Sequence, residues 1–431
     1  MSPVRIAAPR NLGGRYALGL DFGTSGARAI AIDTTGQLLA EAHQRFCNPA
    51  ANQLTDLWQT SLWSLLEALP LGVRKRLGAI AIDGTSGTVL LCDAQGLPLT
   101  EPLLYNDDRG RSIDLSQVAP SDSPTQSATS SLAKVLWWWQ TLPQKQLSRA
   151  KYLLHQADWL SYLLHGQLGI SDYHNALKLG YDIGALAYPA WLTRLPMAAW
   201  FPEVKTPGAT VGAIGTAIAA RFDIPPDCLV KAGTTDSIAA FLASGAATPG
   251  AAVTSLGSTL VLKLLSRVRI DDPTQGIYSH RLGDLWLVGG ASNTGGAVLR
   301  QFFDDEQLRS LSLQINPEIS TDLNYYPLPC PGERFPMNDP DYPPRITPRP
   351  QDPVIFLQGL LEGIAQIEAT SYQRLAQLGA TPLTKVYTAG GGAQNLAWQA
   401  IRTRLLNLPV ETAHSTEAAC GAARLAGGAE F

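Results

Sequence analysis

Residues 17–43 read ALGLDFGTSGARAIAIDTTGQLLAEAH. Short β-rich runs are broken by Gly23-Thr24-Ser25-Gly26 and again by Thr34-Thr35-Gly36, so the stretch predicts a strand, a tight turn, a second strand, another turn and a third strand. A close echo at 80–99, IAIDGTSGTVLLCDAQGLPL, sets Asp83-Gly84-Thr85-Ser86-Gly87 where the first copy has Asp21, Gly23, Thr24, Ser25 and Gly26. A third version, AVTSLGSTLVLK, occupies 252–263. Three strand-turn-strand units with small hydroxylated turns point to a repeated design, of too irregular a period for a solenoid.

Helical patterns separate these units. In Leu54–Leu69 the apolar residues Leu57, Trp58, Leu62, Leu65, Leu66 and Leu69 recur at spacings of three and four, on one helix face. Ser131–Thr141, with Trp137, Trp138 and Trp139, and Tyr152–Leu164 read as buried helices. Ile355–Leu378 is the clearest helix, with Gly379 placed to end it. Strands alternating with helices give an α/β class. At roughly 150 residues per domain the 431 residues allow two or three domains. The Ala/Gly/Pro-rich stretch ASGAATPG at 243–250 divides the chain into 16–247 and 248–431, behind a disordered tail over 1–15. Residues 327–353 hold ten of the 30 prolines. That density forbids helix interior and central strand, so the segment reads as a structured loop of the second half.

Composition narrows the function. Hydrophobic residues make up 45% and charged residues 16%, against about 25% charged in an average protein. The 33 Lys+Arg against 36 Asp+Glu form no basic cluster, which argues against a nucleic-acid partner. No run approaches the roughly 18 apolar residues of a membrane span, and no signal peptide is evident, so a cytoplasmic protein with no membrane partner is expected. The five cysteines lie far apart and read as small core residues in a reducing compartment. The six histidines lack metal-ligand spacing and read as helix-face or surface residues.

Turns rich in Gly, Ser and Thr present backbone N–H groups and hydroxyls to an anion. Asp21–Gly26 and Leu256–Thr259 both fit a phosphate grip; either alone reads better as a plain hairpin, but as a pair in opposite halves, with an Asp leading the first, they favour phosphate binding. Neither is a P-loop, because no Gly-Lys dipeptide occurs. Leu229–Ala232 reads as a strand, and Gly233-Thr234-Thr235-Asp236 opens a helical run. Asp236 there is either an N-cap or a carboxylate aimed at a hydroxyl during phosphoryl transfer, and the residues alone leave both open. Gly390-Gly391-Gly392 after an apolar strand lets a flat ligand lie on the backbone, with Asn395 for hydrogen bonds and Trp398 for stacking; a tight β-to-α turn over a buried Trp is the alternative.

Together and in order, these motifs resemble the FGGY family of carbohydrate kinases. The matching pieces are DFGTSGARAIAID at 21–33, YNDDR at 105–109, AGTTD at 232–236, TSLGST at 254–259, GLLEGIA at 359–365, GGGAQN at 390–395 and STEAACGAA at 415–423. The resemblance implies two ribonuclease H-like domains of the actin-like ATPase fold with a central cleft, and ATP and Mg²⁺ as cofactors. It makes Asp236 the general base and Asp21 the residue that helps hold Mg²⁺ and phosphate. Gly23, Thr24, Ser25, Gly257, Ser258 and Thr259 would contact phosphates; Gly391, Gly392, Asn395 and Trp398 would form the adenosine pocket. Ser86, Asp107 and Arg109 would join Asp21 and Asp236 at the sugar. Tyr105 stands where many members have Trp, and the family's first signature is matched only loosely by Ser131–Thr141 around Lys134. The short chain and the GERFPMNDP segment at 332–340 are similar to a compact xylulokinase-like branch, for which D-ribulose is the expected substrate. D-xylulose is the alternative acceptor, and an actin-like ATPase with no sugar acceptor is the alternative of another class. The oligomeric state is left open.

Overall fold

The protein is described by a computed structural model covering residues 14–47 and 50–428. Most of the tail expected over 1–15 lies outside the described residues; Arg15 is described and pairs with Asp227 at 2.7 Å. Two compact units emerge, one running to Ala243 and resuming at Glu417, the other spanning Ser244–Thr416.

In the first unit β1 (Tyr16–Phe22), β2 (Gly26–Ile32) and β3 (Leu38–Arg45) form the antiparallel meander that the opening stretch predicts. On its other side β1 pairs in parallel with β4 (Leu77–Gly84), which pairs with Leu229–Lys231 and with the short Thr234–Thr235; Thr210–Ala213 completes seven strands. The helix Leu54–Ala68 buries Trp58, Leu62 and Leu65 in the same core as Leu18, Leu20 and Phe22. Each such side chain contributes about 1.5–3 kcal/mol by leaving water.

The second unit repeats the plan. Ala251–Leu256 and Leu260–Ser266 form the predicted hairpin, and Lys385–Ala389 pairs in parallel with Ala251–Leu256 as β4 does with β1. Six strands back onto the helix Pro353–Gln377, whose Leu357, Leu360, Leu361 and Ile364 meet Leu260, Leu262 and Leu264. The proline-rich segment belongs to this unit, with Phe335 and Glu333 buried.

Three expectations are corrected. The echo at 80–99 is no hairpin: β4 has strands along both edges, so Val89–Cys92 leaves the sheet and pairs with Tyr152–His155. Consequently Tyr152–Leu164 is not one helix but that strand followed by the helix Gln156–His165. Continuous apolar runs do not distinguish the two by period, and the available edge decides. Finally, the expected second domain 248–431 does not pack as one body. The helix Ala418–Ala426 lies in the first unit, where a Cβ on Gly421 would collide with the Ala239 carbonyl and one on Gly19 with that of Ala419. Only a chain as small as AACGAA lets this helix approach β1 and the helix Asp236–Ala243 so closely. Among the described residues no helix is long and apolar enough to cross a membrane.

Candidate active site

The parallel strands of the first unit end on acids. Asp21 lies opposite Asp83 in the β1–β4 register, and Thr234, two residues before Asp236, also lies opposite Asp83. Carboxyl ends of parallel strands are where α/β sheets bind ligands. Asp83 is wholly buried and, among the described residues, no donor reaches either of its carboxylate oxygens; the Asp21 carboxyl is its acidic neighbour on the adjacent strand. Burial, then the Asp21 and Asp236 charges, push Asp83 well above the usual carboxylate range. Burial also lifts Asp21 to about 6, with Asp236 adding to the rise while Asp83 and Arg28 oppose it. Asp236 is half-buried, opens the helix Asp236–Ala243, and accepts the Ser237 N–H at 2.6 Å. The N-cap-like contact and the place at a strand-to-helix junction among acids coexist in one carboxylate.

Beside these acids lies the turn after β4. Ser86 is half-buried, and Gly87, at φ +87°, takes a conformation other residues rarely adopt. Lys178 reaches the Ser86 carbonyl at 3.4 Å and feels the Asp236 charge, which opposes the lowering of its amine by burial. Asp107 and Arg109 form a bidentate pair, with Nε and a terminal nitrogen 2.9 and 2.6 Å from Oδ2. Arg109 also binds Glu101 at 3.0 Å and stacks on Trp137. This segment is tied to the Ser86 turn by Lys134, which donates to Gly87 and Leu104 carbonyls.

The second unit contains a cavity of about 700 Å³, a size suited to a nucleotide. Gly257, Ser258, Gly391, Gly392, Asn395 and Trp398 all line it; Thr259 does not. Asn395 caps the helix Leu396–Leu406, and its amide donates to Ser312 Oγ at 2.8 Å, tying two walls together. Trp398 is 2% exposed and packs behind Gly392, so it forms the pocket's floor and offers no free face for stacking. Leu313 and Leu396, 89% and 75% exposed, line the same cavity with apolar surface. The first phosphate turn, with Thr24 and Ser25 exposed at the β1–β2 hairpin, occupies in its own sheet the position that Gly257–Thr259 occupies in the other.

The N-terminal domain model of the FGGY family of carbohydrate kinases matches residues 16–243, and the C-terminal domain model residues 252–430. The chain belongs to this family. Among FGGY relatives, a xylulose kinase of Streptomyces coelicolor is 27% identical, covering 96% of this chain and 88% of its own. A gluconokinase of Bacillus licheniformis is 21% identical over 94% of this chain and 85% of its own. The crystal structure of a xyloylose kinase from Brucella ovis superposes with a TM-score of 0.80 at 25% identity, covering 95% of this chain and 90% of that one. The two units thus carry the actin-like ATPase fold of FGGY kinases.

FGGY kinases use ATP, and the residues here suit the magnesium that accompanies it. Asp21 stands next to the exposed Gly23–Ser25 turn, and the mutual repulsion among Asp21, Asp83 and Asp236 is what a divalent cation relieves. Among the described residues no group of three or more His, Cys, Asp or Glu is arranged to hold a metal by itself. Phosphate oxygens and water would therefore supply most ligands, the usual mode for Mg²⁺.

The sequence underrated several residues. Asp83 was visible only as an echo of Asp21, and Lys178 and Ser312 carried no motif. Of the helix-face and surface roles read for the histidines, His155, His165 and His174 do not take the surface one, all three being buried; His174 Nδ1 meets Thr234 Oγ1 at 2.7 Å, and Thr234 lies two residues before Asp236. Cys47 and Cys330 are exposed, whereas Cys92, Cys228 and Cys420 are core residues as expected.

Proposed function

We propose that this FGGY kinase transfers the γ-phosphoryl group of ATP to the terminal primary hydroxyl of a ketopentose, D-ribulose giving D-ribulose 5-phosphate, with D-xylulose as the alternative acceptor. The observation that carries the reading is Asp236, a helix-opening carboxylate that interacts with Asp21 and with Lys178, itself bonded to the Ser86 turn. A carboxylate so held accepts the proton of the acceptor hydroxyl while that oxygen takes the phosphoryl group and ADP leaves. Ser86, with the Asp107–Arg109 pair, would bind sugar hydroxyls. The exposed Thr24–Ser25 and Gly257–Ser258 turns would hold phosphates, and the cavity between Gly391–Gly392 and Leu313 the adenosine. Bound Mg²⁺, with Asp21 as its protein ligand, would neutralise charge on the phosphates. D-ribulose is preferred on the likeness to the compact branch; the relatives' names favour D-xylulose.

The test is ADP release with a panel of ketopentoses, pentitols, hexuloses, gluconate and glycerol beside a no-sugar control. Saturation by D-ribulose at the lowest concentration is expected. Asp236→Ala should lose about 10²–10⁴-fold in turnover while still binding ATP. ADP release indifferent to every acceptor would instead mark an ATPase without a sugar substrate, and unchanged turnover in the variant would remove Asp236 as the base.

A further inference from the structure

The helix Ser131–Thr141 turns Leu132, Val135, Leu136 and Trp138 into an apolar core, and among them it buries one lysine with no exposed surface. Lys134 Nζ donates to the Gly87 carbonyl and to the Leu104 carbonyl, each at 2.7 Å. We propose that Lys134 is a positioning residue for the acceptor sugar, fixing the Ser86–Gly87 turn by clamping it to the loop at Leu104 that leads into Asp107 and Arg109. The inference rests on the sugar-kinase reading above.

A leucine or methionine would satisfy the packing at this position, so the ammonium answers a polar demand. Its two acceptors lie 17 residues apart in the chain, one at the turn that carries Ser86, the other at the start of the Asp107–Arg109 segment. Asp107 supplies the countercharge, opposing the burial that draws the amine down to about 7. The rest of the turn is fixed as tightly. Thr85 N–H donates to Gln156 Oε1 at 3.0 Å, and the Ser86 carbonyl accepts from Lys178. Ser86 is left half-exposed between the engaged Thr85 N–H and the engaged Gly87 carbonyl. Without Lys134, the buried Gly87 carbonyl loses its donor and the Leu104 carbonyl keeps only the Asp107 N–H, so the link between the two segments is lost and the turn must shift to satisfy Gly87. That shift moves Ser86 and the Asp107–Arg109 pair relative to each other, while the nucleotide cavity is lined wholly by residues of the other unit.

The experiment compares wild type, Lys134→Met and Lys134→Arg for the KM of the acceptor, the KM of ATP and the dissociation constant of a non-hydrolysable ATP analogue by calorimetry. The methionine variant should raise the acceptor KM at least tenfold with analogue affinity within twofold of wild type, and arginine, which keeps two donors, should recover part of the loss. A folded Lys134→Met protein with an unaltered acceptor KM overturns the inference, as does loss of analogue affinity in step with acceptor KM. Should the methionine variant not fold, Lys134→Gln, with one amide donor, is expected to show an intermediate rise, and no rise overturns the inference. Wild type without acceptor-stimulated ADP release removes the sugar-kinase reading and this inference together; an active wild type with an indifferent Lys134→Met removes only the inference.

Discussion

At the scale of single residues, Asp83 has no counterpart among ordinary core positions: a carboxylic acid with no donor, facing a second acid across adjacent parallel strands. Burial and the neighbouring acids favour its protonated form. An acid whose folded pKa exceeds its unfolded value binds more protons folded than unfolded, so stability is lost as pH rises from the unfolded to the folded value. For Asp21 that window runs from 3.8 to about 6, and Asp83 carries the loss higher. Asp83→Asn should therefore stabilise the protein more at pH 8 than near pH 4. Thermal unfolding of both proteins across that range, without nucleotide or magnesium, is the measurement. An equal difference at both ends would mean that Asp83 binds its proton no more tightly in the folded chain than in the unfolded one.

At the scale of elements, the second unit is bolted by one buried ion pair. Arg402, on the helix Leu396–Leu406, meets Glu368 of the helix Pro353–Gln377 at 2.6 and 2.7 Å and donates to Thr388 Oγ1 at 2.5 Å. Glu368 also accepts from Thr254 Oγ1 at 2.6 Å, so two helices and two parallel strands share one network, both charges being 1% exposed. Removing one partner strands the other charge in the core. Arg402→Met should cost about 3–5 kcal/mol, whereas Arg402→Met with Glu368→Leu should regain most of it. Denaturation midpoints of the two variants decide this: a double variant as unstable as the single would show that the pair itself stabilises the unit.

At the scale of the whole molecule, the second unit is an insertion. The chain leaves the first unit after the helix Asp236–Ala243 and returns through Ala418–Ala426, and these two helices pack side by side. Gly421 is the contact point, and a larger side chain there meets the Ala239 backbone, which cannot yield as a flexible side chain can. Gly421→Leu should lower the unfolding temperature of the first unit and the acceptor-dependent turnover, with ATP-analogue affinity retained. Calorimetry with and without the analogue checks it, since a ligand at 100 times its dissociation constant stabilises the unit that binds it by about 2.7 kcal/mol. An unaltered transition in the variant would mean that the helix is dispensable.

The sequence by itself determined what is local. The Gly-Thr-Ser turns, the meander from Tyr16 to Arg45, the hairpin around Gly257, the strand-to-helix passages at Asp236 and Gly390, and the family they jointly mark are all written in spacing and turn chemistry within a few residues. Tertiary structure decided whatever depends on distant partners. The echo at 80–99 keeps the letters of a hairpin but not its geometry, because β4 has no free edge. Trp398 becomes a floor because Gly392 lies against it, and the final helix joins the first unit because small residues on both sides allow backbone contact. Lys134 and Asp83 gain their meaning from carbonyls and a carboxyl brought in by other elements. A turn is fixed by the dihedral preferences of its own residues; the demand for a buried charge, or for the absence of a side chain, is set by neighbours that only folding supplies.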